Sequence, residues 1–277
     1  MKLRAPAKVN LSLRILGKRP DGFHDLESLV TPISLADEVT VKTSIGQGVK
    51  VRCSDASLPQ DDSNLAAVAA RQFHSHTGIR FQVHIDIEKH IPAGAGLGGG
   101  SSDAATVLIA LDSIFETNLG TAGLEEIAAK IGSDVPFFIR RRPSWMRGRG
   151  EVIEPAELPK PLTLVLIKPP FGVDTGWAYK RWASASGLPG ASTDPQQVAG
   201  IELFNDLEKP VFEKYVFLSL VKDWLREQPE CAGAIMSGSG STTFGICDDM
   251  RAAREVADRA RAHFGEFMWI TTCEAPA

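Results

Sequence analysis

From Phe81 to Glu88 the chain alternates Phe81, Val83, Ile85 and Ile87 with Gln82, His84, Asp86 and Glu88, then enters Pro92-Ala93-Gly94-Ala95-Gly96-Leu97-Gly98-Gly99-Gly100-Ser101-Ser102. The period of two marks a half-buried strand. Past the loop, Ala104, Leu108, Leu111 and Phe115, joined by Val107 and Ile114, recur at three and four residues, so an amphipathic helix begins with Ser101-Ser102-Asp103. A strand, a glycine-rich loop and a helix in direct succession require a fold that mixes both element types. Glycines let the backbone approach a ligand closely, and a helix start offers unpaired N–H groups and the positive end of the dipole. The loop is therefore an anion site in form, suited to phosphate; a flexible connection is the alternative reading. It lacks the lysine of the Walker A pattern. Gly94, Gly96 and Gly99 have the spacing of a dinucleotide fingerprint, but no acidic residue closes a second strand about 20 residues on.

A chain of 277 residues exceeds the usual size of a single core, so two domains or one large one are expected. The net charge of -4 gives no general attraction for nucleic acid or an anionic membrane. Cys53, Cys231, Cys247 and Cys273 are far apart in sequence, which suggests buried, reduced thiols rather than a zinc site or disulfide framework. The opening MKLRAPAKVN has no signal-peptide pattern, and no segment reaches the roughly 18 apolar residues of a membrane span, so a cytoplasmic protein is expected. His74, His76, His84, His90 and His263 show no metal-ligand arrangement with acidic or cysteine neighbours, and no protein metal site is expected.

Lys8, Asn10, Ser12 and Arg14 alternate with Val9, Leu11, Leu13 and Ile15, so one strand over residues 8 to 15 is expected to put Lys8, Asn10 and Ser12 on a polar face. A helix is expected from Thr121, stopping at Gly132, with Ser133 and Asp134 capping the next. Three prolines between Glu154 and Pro161 mark a domain boundary, dividing the chain into 1–157 and 158–277. Beyond it, Leu162 to Ile167 reads as a buried strand, and helical patterns cover 175–184 and 211–227. Short strands flank Gly238 to Ser241, followed by a charged helix over 249–264 and a last strand over 267–272, giving a second α+β unit.

Several segments carry a resemblance. Pro6-Ala7-Lys8-Val9-Asn10-Leu11, Asp21-Gly22-Phe23-His24, the glycine loop and Gly132-Ser133-Asp134-Val135-Pro136-Phe137 occur in order. Gly148-Arg149-Gly150-Glu151, Asn205-Asp206-Leu207-Glu208 and Ser237-Gly238-Ser239-Gly240-Ser241 follow. Together they resemble the GHMP kinases, named for galactokinase, homoserine kinase, mevalonate kinase and phosphomevalonate kinase. Within that superfamily the closer likeness is to kinases whose acceptor is a cytidine diphosphate conjugate of a branched polyol. The resemblance implies a two-domain α+β fold, with an N-terminal ATP-binding domain and a C-terminal ferredoxin-like domain. It places the active site in the cleft between them and allows the last strand to pack on the N-terminal domain.

It also implies ATP, bound by Pro92 to Ser102, with Mg2+ accompanying the nucleotide. Asp134 matches the family's catalytic aspartate, and Lys8 its partner; the residues alone favour a helix cap and a solvated strand lysine. Asn10, Phe23, His24, Tyr179, Ser237, Gly238, Ser239 and Gly240 are expected to bind substrate. For these the plainer readings are a polar strand end, a core aromatic, a helix-face residue and a hairpin turn. A mevalonate- or homoserine-type kinase, or an inactive nucleotide-binding relative, remains the alternative, and the protein is expected to be a monomer or homodimer.

Overall fold

Two strands, β1 (Lys2–Asn10) and β2 (Ser12–Lys18), stand where the alternation suggested one. The break falls at Leu11, whose N–H donates to the Leu29 carbonyl at 2.8 Å. Lys8, Asn10 and Ser12 are buried rather than on a solvated face. The computed structural model describes all of residues 1–277. One unit comprises Met1–Ala7, Leu35–Ala93 and Gly98–Arg141; the other comprises Lys8–Ser34, Gly94–Leu97 and Arg142–Ala277. A single division at 157/158 does not coincide with these units, because the long strand β3 (His24–Ser44) and the glycine loop each contribute to both.

In the first unit the later half of β3 pairs antiparallel with β5 (Gln82–Glu88), from Glu38↔Glu88 to Ser44↔Gln82, and β4 (Gly48–Cys53) runs parallel to β5. Four helices, α1 (Leu65–Thr77), α2 (Gly99–Phe115), α3 (Gly120–Ala129) and α4 (Val135–Arg140), complete it. Asn64 caps α1 by accepting the Ala66 N–H at 2.9 Å. The expected stripe of α2 is buried at Ala104, Leu108 and Leu111, each leucine contributing roughly 1.5–3 kcal/mol of apolar burial. Phe115, at its end, stacks on Phe73 and tilts against Phe81.

In the second unit β2 pairs with the start of β3, β3 with β6 (Ser144–Gly148), and β6 with β7 (Val152–Pro155). On its other edge β2 runs parallel to β10 (Ile201–Asn205), which pairs with β9 (Gln196–Val198). A separate antiparallel sheet has the order β11 (Cys231–Met236), β12 (Thr243–Cys247), β8 (Leu162–Lys168), β13 (Trp269–Ala275). Helices α7 (Val216–Arg226) and α8 (Met250–Phe264) pack on it through Val221, Leu225, Val256 and Ala257, a ferredoxin-like arrangement. The last strand pairs with β8 along its length, from Trp269↔Lys168 to Ala275↔Leu162, and its Glu274 N–H donates to the Ser34 hydroxyl of β3 at 3.0 Å.

Helix α5 (Thr175–Trp182) matches the pattern read there, but the helix read over 211–227 is two, α6 (Glu208–Lys214) and α7, broken at Tyr215. The Tyr215 ring stacks on Phe171 at 5.4 Å, and its backbone leaves the helical region. The cysteines are free, yet β11 and β12 bring Cys231 and Cys247, distant in sequence, to 3.6 Å between sulfurs, with Cys231 half-buried. No helix is long and apolar enough to cross a membrane.

Candidate active site

The glycine loop is fixed by its carbonyl groups. Gly94 O accepts the Ser241 N–H at 3.4 Å, Ala95 O the Thr242 N–H at 3.2 Å and Leu97 O the Lys8 N–H at 3.0 Å. Gly96 O accepts the Ser237 hydroxyl at 2.9 Å. Four successive carbonyls are thus engaged within the second unit, while the N–H groups of residues 94–97 enter no hydrogen bond. A backbone that commits its acceptors and leaves its donors unused is chemically an anion cradle. Gly96 has φ +73°, and a Cβ there would lie 2.2 Å from the Ser237 carbonyl oxygen, so no other residue fits the approach.

The cradle runs into α2, whose N-cap Gly98 provides no side-chain capping bond. The first N–H groups of α2 are, like those of any helix start, without intrahelical partners. The Ser102 hydroxyl and Asp103 Oδ1 are buried there without a hydrogen-bond partner. Beneath them is a buried cluster that the sequence reading missed. Lys89 Nζ pairs with Asp37 and, at 2.8 Å, with Asp103, while Asp37 Oδ1 accepts the N–H groups of His90 at 2.6 Å and Ile91 at 2.8 Å. These bonds tie the end of β5 to the start of α2. Burial, reinforced by the Asp37 charge and opposed by Lys89, pushes the Asp103 carboxyl up to about 7.

Lys8, Asn10 and the turn from Ser237 to Ser241 converge in the second unit. Asn10 Oδ1 accepts from Lys8 Nζ, Asn10 Nδ2 donates to the Ser28 hydroxyl at 2.8 Å, and the Asn10 N–H reaches Ser237 Oγ at 3.3 Å. Gly238, at φ +56°, closes on this group: a Cβ there would stand 3.1 Å from Asn10 Oδ1 and 3.4 Å from Lys8 Nζ. Ser239 Oγ is 2.7 Å from Thr175 Oγ1 at the start of α5. Gly240 packs by Met236. The turn is therefore more than a hairpin connection. Asp134, in the first unit, precedes α4, but its side chain makes no capping bond, so the cap expected there is not formed.

Phe23 is exposed, and the Arg149 guanidinium lies 4.9 Å from its ring centre. Arg149 is held by the turn after β6, where the Glu151 carboxylate accepts its N–H at 2.5 Å. His24 is buried, with its ring 5.5 Å from Tyr179 and edge-on to Trp182. Burial and then the Lys18 charge lower its pKa, so the imidazole is neutral at neutral pH. The structure thus brings Tyr179 against His24. His90, read as lacking acidic neighbours, has ligand atoms of Glu38 and Glu88 within 4.8 Å. The β3–β5 register creates that cluster, in which Glu38 also pairs with Lys2 at 2.7 Å.

The GHMP kinases N terminal domain model matches residues 64–142 and the GHMP kinases C terminal model matches 196–266. The 4-diphosphocytidyl-2-C-methyl-D-erythritol kinase of Methylacidiphilum infernorum is 41% identical over 98% of this chain and 95% of its own. That of Pelotomaculum thermopropionicum is 40% identical over 93% of this chain and 92% of its own. A crystal structure of 4-(cytidine 5'-diphospho)-2C-methyl-D-erythritol kinase superposes with TM-score 0.81 at 35% identity, covering 99% of both chains. Homoserine kinase from Cytophaga hutchinsonii, at TM-score 0.70 and 18% identity, shares the fold.

Proposed function

This chain belongs to the 4-diphosphocytidyl-2-C-methyl-D-erythritol kinases within the GHMP kinases, and from that premise we propose that it moves the γ-phosphoryl group of ATP to the C2 hydroxyl of 4-diphosphocytidyl-2-C-methyl-D-erythritol. The products are the 2-phosphate and ADP, on the non-mevalonate route to isoprenoid precursors, in the cytoplasm. The observation that carries this reading is the run of unused N–H groups from Gly94 to Leu97, tied to Lys8 through the Leu97 carbonyl. Phosphate oxygens satisfy those donors, and the buried, unpartnered Ser102 hydroxyl adds one more. Mg2+ bound with ATP would screen its phosphate charge, and the Ser102 oxygen, buried without a partner, is the group of this segment that would hold it.

In this reading Asp134 takes the C2 hydroxyl proton as that oxygen bonds to the γ-phosphorus, and the bond to the ADP oxygen breaks, its electron pair leaving with ADP. Lys8, oriented by Asn10, stabilises negative charge at the transferring group. The cytosine stacks on Phe23, whose ring is exposed, and the neutral His24 beside Tyr179 hydrogen-bonds its edge. Ser237 to Gly240 line the acceptor. ADP release measured against a panel of alcohols tests this. Turnover with the cytidyl conjugate alone is expected, and phosphorylation of mevalonate or homoserine in its place would overturn it.

A further inference from the structure

The stretch Asn205-Asp206-Leu207-Glu208 has no role in the reaction as described, yet its side chains are among the most buried polar groups of the second unit. Asn205 and Glu208 are each 1% exposed. Asn205 Nδ2 donates to the Met236 carbonyl at 2.7 Å and the Gly238 carbonyl at 2.8 Å, while its Oδ1 accepts the Leu207 N–H at 2.9 Å. Glu208 Oε1 accepts the Met236 N–H at 2.9 Å, and its Oε2 receives Lys222 Nζ at 2.6 Å. Asp206 anchors the stretch to β2 by accepting the Ile15 N–H at 2.6 Å. Both backbone polar groups of Met236, and the carbonyl of Gly238, are therefore held by side chains of this stretch.

We propose that Asn205 and Glu208 are positioning residues for phosphoryl transfer, fixing the turn from Ser237 so that Gly238 closes on Lys8 and Asn10. The proposal rests on the reading of Lys8 as a catalytic group. Stability alone does not account for the arrangement, since well-packed apolar residues commonly replace a buried ion pair without loss. What they cannot supply is an acceptor aimed at one backbone N–H. Lys222, 1% exposed, pairs with that acceptor, opposing the burial that raises its pKa, and donates also to the Ser192 carbonyl at 3.0 Å. The turn it steadies is the one whose Gly238 sits 3.4 Å, measured from an ideal Cβ, from Lys8 Nζ. Small displacements at that distance are costly in rate.

Two double variants and two single ones test this, each with a melting curve and kcat. Glu208→Met with Lys222→Met keeps an apolar, packed core but removes the acceptor; kcat should fall about tenfold or more while the protein still melts cooperatively. Glu208→Gln with Lys222→Met keeps a neutral acceptor for the Met236 N–H and should restore kcat to within about threefold of the parent. Asn205→Asp, which turns donors toward two carbonyls into acceptors, should lower kcat about tenfold or more and provides the answer if the apolar pair does not fold. Lys8→Met is the control. If Lys8→Met loses turnover but the apolar pair, or Asn205→Asp in its place, keeps parental kcat, the proposal is overturned. Parental kcat in Lys8→Met overturns the reading of the site, and the proposal with it.

Discussion

Each unit buries a lysine among carboxylates, and the two clusters differ in stoichiometry. In the first, Lys89 faces both Asp37 and Asp103; in the second, Lys222 faces Glu208 alone. The one-to-one pair directs its carboxylate at a single backbone N–H ahead of the Ser237 turn. The two-to-one cluster secures two backbone N–H groups but has one negative charge in excess; burial first, and then the Asp37 charge, lets Asp103 hold its proton up to about pH 7. The same device, a buried charge pinning backbone beside a glycine-rich segment, is therefore one-to-one in one unit and two-to-one in the other, and burial raises the pKa of Glu208 as it raises that of Asp103.

Lys89→Met should have the largest effect on stability. It strands two buried carboxylates, and urea unfolding should show a loss of about 3–5 kcal/mol, with Lys222→Met at or below the lower end of that range. Equal losses would remove the distinction. Asp103→Asn should come next, as a change in pH dependence. Asp103 rises from 3.8 to about 7 on folding, so its contribution is fully present below the unfolded value and is lost as pH rises through about 7. The urea midpoint should decline from pH 5 to pH 8 in the parent and decline less in Asp103→Asn. Ser102→Ala should change stability least, within about 0.5 kcal/mol, because its buried hydroxyl has no partner to lose. It should nonetheless raise the KM for ATP several-fold, about one hydrogen bond's worth; an unchanged KM would mean that the hydroxyl serves neither fold nor ligand.

What was legible in the sequence was local. The alternation into Pro92 and the three-four spacing after Ser102 identified β5 and α2, and the apolar run at Leu162 identified a strand buried on both faces. For the Lys8 strand the alternation put Lys8, Asn10 and Ser12 on one polar face but could not show that this face is buried, with Gly238 of the distant turn closing on Lys8 and Asn10. Asp37 lies 52 positions from Lys89, and Glu208 28 positions from Met236. No spacing rule connects such pairs. The interleaved units have the same cause, since Gly94–Leu97 is bonded to Lys8 far before it and to Ser237, Ser241 and Thr242 more than a hundred positions after it. For Asp134 the local pattern pointed to a cap, whereas the structure forms none.

That carboxylate gives the most direct test of the account. Asp134→Asn keeps the shape and removes the base. Turnover with the cytidyl conjugate should fall by a factor of about 10² or more, while ATP affinity, measured by calorimetry, stays within about twofold of the parent. Parental turnover in Asp134→Asn would contradict the account, because phosphoryl transfer would then proceed without the group assigned to take the proton.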